Sequence, residues 1–178
     1  MREIILYSAI SIDNYIARSD GNIDWLNTPG MIPEGEDFGY GEFYNSIDTT
    51  LSGNTTYEQV LGFGGPFPYP DKKNYVFTRQ SEKKTSEYVE FISSDISGFC
   101  AGLKQQRGMN IWLVGGGKLN TSLLDSALID RVILTKIPIP LGTGIPLFEQ
   151  EDWNSRFKIL TTRVYENGIV QFEMVKIS

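Results

Sequence analysis

Three stretches carry residue types and spacings suited to holding a phosphorylated ligand. In the first, Ile111-Trp112-Leu113-Val114 runs straight into Gly115-Gly116-Gly117, and a new segment opens at Lys118-Leu119. A short apolar run bounded by glycine reads as a strand buried on both faces. The glycines let the backbone approach a ligand without interference from Cβ. Leu119, Leu123, Leu124 and Leu128 then fall near helical spacing, predicting a helix over 118–128. Strand, glycine turn and helix start together present backbone N–H groups to a phosphate. The bland reading is a tight strand-to-helix turn with no ligand. The dinucleotide fingerprint is not met, because Asn120 stands where its third glycine belongs. The P-loop is not met either, because Trp112 and Leu119 replace its first glycine and its hydroxyl.

The second stretch is Gly53-Asn54-Thr55-Thr56, a glycine followed by polar side chains where a helix begins; Thr55-x-x-Glu58 has capping-box spacing. The third is Thr78-Arg79 at the end of an apolar run from Asn74, a hydroxyl and a guanidinium able to grip a phosphate. Two carboxylates stand out as well. Asp37 opens a segment in which Tyr40, Phe43, Tyr44 and Ile47 share one helical face, so its functional reading competes with simple N-terminal capping. Asp13 begins a turn after the first strand, where an Asx turn is the structural alternative.

Composition narrows the chemistry. The chain of 178 residues has no histidine and one cysteine. Histidine-dependent triads and imidazole or thiolate metal sites are therefore excluded, and no metal is expected. Acid–base work falls to Asp, Glu, Tyr, Lys or water, and chemistry supplied by a bound cofactor gains weight. Net charge is −6 and the sequence pI about 4.7, which argues against nucleic-acid or anionic-membrane partners. Cys100 lies on an apolar helical face with Ile96, Phe99 and Leu103 and reads as a core residue. One cysteine, no signal segment and no apolar run of membrane-spanning length predict a cytoplasmic protein.

Elements to position these residues follow in order. Strands are predicted over 3–12, 49–52, 74–78, 88–92, 111–114, 130–137, 157–165 and 169–177. Helices are predicted from Glu36 to about Asp48, from Thr55 to about Leu61, from Ser94 or Asp95 to before Gly108, and over 118–128. Residues 27–35, 62–70 and 138–152 read as loop, and Glu166-Asn167-Gly168 as a hairpin with a two-residue Asn-Gly turn. The order βαβαββαβαβ followed by a hairpin implies one domain over 1–178, with a mainly parallel sheet and right-handed crossovers. Ligands in such sheets sit at the carboxyl ends of strands, and all three phosphate-gripping stretches fall at such ends.

These residues resemble the dihydrofolate reductase superfamily, including the reductase domain of bacterial riboflavin biosynthesis, the RibD C-terminal domain. Ser8 to Ala17 resembles its first strand and the loop after it. Gly53 to Glu58 resembles its Gly-Arg-x-Thr-Tyr/Trp-Glu motif, Thr78-Arg79 its Ser/Thr-Arg pair, and Leu134-Thr135 its Leu-Thr. Val114 to Gly117 resembles its Ile-Gly-Gly-Gly, in which a cis bond joins the first two glycines. Glu151-Asp152-Trp153 is also similar. The resemblance implies an α/β three-layer fold with a mainly parallel central sheet, a C-terminal antiparallel hairpin and helices on both faces. It implies NADPH as cofactor and a pterin or pyrimidine-type ring as substrate, with a homodimer as the assembly. Gly53 to Thr56 would hold cofactor phosphates, and Thr78 and Arg79 the 2′-phosphate. Val114, Gly115, Gly116, Gly117, Lys118 and Leu119 would pack on the pyrophosphate and nicotinamide side, with Ala9 and Ile16 lining the nicotinamide pocket. Asp37 would meet the substrate ring with Thr135 in support, and Asp13 and Trp25 would stand near the substrate. Asn54 replaces the motif's arginine, which leaves the preference for NADPH resting on Arg79.

Overall fold

The structure is a computed structural model that describes residues 1–80, 86–149 and 155–177. The Glu151-Asp152-Trp153 similarity and the end of the predicted 138–152 loop lie outside the described residues. The apolar runs become strands β1 (Ile4–Ile10), β2 (Tyr15–Ala17), β3 (Ile47–Gly53), β4 (Lys73–Phe77), β5 (Val89–Ile92), β6 (Asn110–Gly115), β7 (Arg131–Lys136), β8 (Ile145–Pro146), β9 (Arg156–Val164) and β10 (Val170–Ile177). The helices are α1 (Tyr40–Asn45), α2 (Asn54–Gly62), α3 (Ile96–Gln105) and α4 (Gly117–Asp125).

Eight strands form one sheet in the order β5-β4-β3-β6-β1-β7-β10-β9. The first six run parallel, and β10 and β9 add an antiparallel hairpin at one edge. This is the mainly parallel sheet with a C-terminal hairpin that the element order implies. Alternation along the strands sorts side chains to two faces. Ile4 and Leu6 of β1 and Ile111 and Leu113 of β6 join Leu103 of α3 and Leu119 and Leu123 of α4 in the larger core. Ile5 of β1 and Trp112 of β6 point the other way and meet Phe43 of α1. Cys100 is fully buried in the larger core.

The amino-terminal end of the sheet is tied by ion pairs. Lys104 of α3 places its Nζ 2.6 and 2.7 Å from the two carboxylate oxygens of Asp130, which also accepts the Ile4 N–H. Arg2 pairs with Asp48 and donates to the Thr49 hydroxyl and the Met109 carbonyl. The opposite end of the sheet, where β3, β4 and β6 finish side by side, carries the three stretches singled out in the sequence.

Several boundaries differ from the sequence expectation. The first helix is only six residues long, because Phe38 and Gly39 take left-handed backbone angles (φ 55° and 77°) and delay its start. α2 begins at Asn54 with Gly53 as its cap residue, so the Thr55-x-x-Glu58 capping box is not used. The hairpin between β9 and β10 has a three-residue loop, Glu166 to Gly168, closed by the Tyr165 N–H on the Ile169 carbonyl. β2 and β8, read as turn and loop in the sequence, pair with each other in a small antiparallel sheet.

Candidate cofactor and substrate site

β6 runs to Gly115, a cis peptide bond joins Gly115 to Gly116, and α4 starts at Gly117. Close packing requires glycine at each position. A Cβ on Gly115, whose φ is +103°, would lie 2.7 Å from the Asn120 Oδ1; one on Gly116 would lie 2.9 Å from the Thr56 Oγ1. One on Gly117 would collide with the Pro146 carbonyl oxygen. Beside this turn stands the start of α2. The Gly116 N–H donates to the Thr56 hydroxyl at 3.0 Å, bringing the amino termini of the two helices together. Neither terminus carries a side-chain cap. First-turn N–H groups have no partner within a helix, so two adjacent uncapped termini form a cradle of donors with positive helix-dipole ends. Thr55 and Lys118 are exposed beside it, whereas the Leu119 side chain is buried in the core, which leaves that residue only its backbone for a ligand.

Thr78 and the exposed Arg79 follow β4, next to β3 in the sheet. The Thr78 hydroxyl accepts the Gln80 N–H, which shapes the turn that presents Arg79. A cofactor bearing phosphates fits this donor set: backbone N–H groups at two helix starts and a guanidinium at the next strand end.

On the α1 and α2 face of the sheet, beside the same turn, lies a narrow cleft, open to solvent, whose enclosed part has room for about one water molecule. Its floor includes Thr50, Ser52 and Val114; Thr56, Tyr57 and Val60 of α2 and the loop residues Phe67 and Tyr69 form its other walls. Thr56 and Val114 belong to both cleft and glycine turn. Beyond Tyr69 the wall continues as an aromatic cluster. Trp112 lies 5.1 Å from Tyr69, 5.8 Å from Tyr40 and 6.5 Å from Tyr7, centroid to centroid.

The carboxylate expected in the first turn of a helix lies before that helix starts. Asp37 is exposed, precedes α1, and accepts the N–H groups of Gly39 at 2.8 Å and Gly41 at 2.9 Å. Those two bonds, Gly41 first, hold its pKa below the usual carboxylate range. The Thr135 hydroxyl does not reach it; Thr135 is bonded instead to the Gln171 side-chain amide at 3.0 Å. Asp37 is felt at Tyr7, whose hydroxyl is pushed up to about 12 by burial first and the Asp37 charge second. Tyr7 donates that hydroxyl to the Phe38 carbonyl at 3.0 Å.

Gln171 is absent from the sequence expectations. On β10 it reads as one more residue of an edge hairpin, yet it is buried and bridges Thr135 to the Phe38 carbonyl. One other expectation is corrected. Trp25 is 1 % exposed and packed with Ile137 and Ile169, so it builds the core instead of facing a substrate. Asp13 spends its carboxylate on the Ser11 hydroxyl and on the Leu141 and Gly142 N–H groups. Burial raises its pKa, but those bonds outweigh it and hold Asp13 below its ordinary value. Its role in the structure is to fasten the loop after β1 to the loop after β7. Ala9 and Ile16 are both half-buried, Ala9 packing on the Trp25 cluster and Ile16 on the larger core.

Strand order, terminal hairpin and glycine turn define a dihydrofolate-reductase-like fold. The dihydrofolate reductase of Enterococcus faecalis, solved with NADP(H), superposes with a TM-score of 0.68 at 16% identity, over 99% of this chain and 97% of that one. Residues 70–171 match the RibD C-terminal domain, and the chain belongs to that family. A structure described as a riboflavin biosynthesis protein from Shewanella sp. PV-4 superposes with a TM-score of 0.88 at 26% identity, over 99% of both chains. The uncharacterized protein YwjB of Bacillus subtilis is 40% identical over 94% of this chain and 95% of its own.

Proposed function

We propose that this chain is a reductase that takes hydride from NADPH and delivers it to a pterin or pyrimidine-type ring. The observation that carries the reading is the Thr56–Gly116 hydrogen bond, which unites two uncapped helix termini beside an aromatic cleft. Gly53 to Thr56 and Gly115 to Leu119 would hold the cofactor phosphates through backbone N–H groups, and Thr78 and Arg79 the 2′-phosphate. When bound, NADPH supplies the hydride. The protein's part is to orient the substrate ring, exclude water and place polar groups.

Asp37 is the proposed orienting carboxylate. Two backbone N–H groups occupy part of its acceptor capacity, and an ionised carboxylate keeps further lone pairs for a ring N–H and amino group. Its lowered pKa supports an orienting role over a proton-donating one, so the ring proton would come from water.

The test is NADPH oxidation by purified protein with dihydrofolate, measured against a blank without substrate and repeated with a reduced-pterin and aminopyrimidine panel. The Asp37→Asn variant should bind NADPH as tightly as the parent and lose most turnover. Undiminished turnover in that variant rejects the role of Asp37; absence of NADPH binding in folded protein rejects the reductase reading.

A further inference from the structure

The chemistry of the cleft goes beyond reaction class to the kind of substrate arm it can admit; the inference rests on the reductase reading above. No charged side chain among the described residues lines the cleft. Its apolar surface combines Val60, Val76, Val89 and Val114 with three rings, Phe67 being set against Tyr57 at 6.2 Å and Tyr69 at 5.7 Å.

The polar groups at its base are already engaged. Asn74 is 5 % exposed and donates its side-chain N–H groups to the carbonyls of Tyr69, Lys72 and Tyr88, while its Oδ1 accepts the Thr50 hydroxyl. Lys72, a cation beside this aromatic wall, is turned away from service to a ligand. Its Nζ lies 3.1 Å from Asp71 and 4.1 Å from the Tyr44 ring centroid. Asp71 also accepts the Tyr44 hydroxyl, and Asp37 stands near Tyr7 at the other end of the cluster. Among the described residues, the charges named around the aromatic wall are thus acidic, or a cation that an acid has already paired.

An anionic arm entering this space would lose its hydration without gaining a charged donor, and burying an unpaired oxyanion is strongly unfavourable. With the helix-terminal N–H groups assigned to the cofactor phosphates, a second anion in the cleft would depend on an arginine or lysine side chain. A neutral arm meets aromatic faces, which take apolar and ring groups, and the Ser52 and Tyr69 hydroxyls, which suit an alcohol or amide. We propose that the cleft beneath α2 selects ring substrates whose side arm is uncharged and discriminates against the same rings carrying a phosphate or carboxylate arm.

The experiment is calorimetric titration of protein saturated with NADP+, which has no hydride to give and so holds the complex at the binding stage, with two matched pairs. One pair is dihydrobiopterin, with a hydroxylated arm, against dihydrofolate, with a glutamate arm. The other is a ribosylaminopyrimidine with and without its phosphate. The uncharged member of at least one pair should bind about tenfold or more tightly than its charged partner. Equal or tighter binding of the charged members overturns this inference and leaves the reductase reading intact. NADPH binding with no affinity for any of the four rings overturns the reductase reading, and this inference with it. The Val60→Arg variant, which places a cation in the cleft wall, should narrow the gap between dihydrofolate and dihydrobiopterin by about tenfold; an unchanged gap means that charge does not set the preference.

Discussion

Gln171 of β10 donates its side-chain amide to the carbonyl oxygen of Phe38 at 2.8 Å, across 133 residues of sequence. The same amide reaches Thr135 of β7, and the Tyr7 hydroxyl of β1 approaches the same carbonyl. Phe38 sits in the left-handed region and follows Asp37 directly, so three strands fix the stretch that carries the proposed orienting carboxylate. Replacing Gln171 by Leu should lower stability by about 1–3 kcal/mol, read as a reduced urea midpoint at unchanged slope. A midpoint equal to that of the parent would show that Tyr7 alone suffices to hold the turn.

The Thr56 hydroxyl holds the Gly116 N–H in the place where two helix termini meet. Thr56→Val keeps the shape of the side chain and removes the acceptor. A single lost hydrogen bond of about 1 kcal/mol should weaken NADPH binding about fivefold in calorimetry. An unaltered affinity would separate this bond from the proposed cofactor cradle.

Glycines divide sharply by what surrounds them. A Cβ on Gly102, inside α3, would meet nothing within 4 Å, and Gly102→Ala should stabilise the protein by about 0.5–1 kcal/mol. A Cβ on Gly117 would meet the backbone carbonyl of Pro146, so Gly117→Ala should destabilise by about 1–3 kcal/mol. Thermal denaturation of the two variants should move in opposite directions; movement in the same direction would contradict the packing described at the glycine turn.

Tyr7 sets an alkaline limit. Its folded-state pKa of about 12 lies above the ordinary 10.0, so the folded protein retains a proton that the unfolded chain releases. The stabilisation linked to Tyr7 is complete below pH 10 and declines as pH rises through 10 toward 12. Urea denaturation across that range should show falling stability, and Tyr7→Phe should flatten the decline. An equally steep decline in the variant would assign the effect to other phenols.

Lys104 and Asp130 form a largely buried pair with two further groups bonded to it, the Leu128 carbonyl and the Ile4 N–H. Lys104→Met leaves the carboxylate without its cation and should destabilise the protein by about 3–5 kcal/mol in urea denaturation. A loss below about 1 kcal/mol would place this pair among weak surface contacts.

Most of the framework was legible because it depends on local pattern. The run from Ile111 to Gly117 announces a strand, a turn and a helix with no help from distant residues, and β1, β4 and β7 follow the same logic. Features set by distant contacts were not legible. β2 and β8 are two or three residues long and exist only because Tyr15 and Ala17 meet Pro146 and Ile145. The short α1 follows from the backbone angles of Phe38 and Gly39, which Tyr7 and Gln171 support from other strands. At the site, the strand-end glycines and hydroxyls were readable from type and position. The exposure of Asp37 and the burial of Trp25 depend on how loops pack, as does the bond from the Gly116 N–H to the Thr56 hydroxyl, which joins residues 60 apart in sequence.

β10 lies between β7 and β9, inside the sheet, although it is the last strand in the sequence. During synthesis the chain therefore emerges with β7 lacking one neighbour and the Phe38 carbonyl lacking its Gln171 donor until residue 171 has left the ribosome. Any translation product stopped before that point contains the residues of the glycine turn and of both helix termini. It lacks the Gln171 donor that clamps the Asp37 loop, so the clamp is the last of these features that the chain can make.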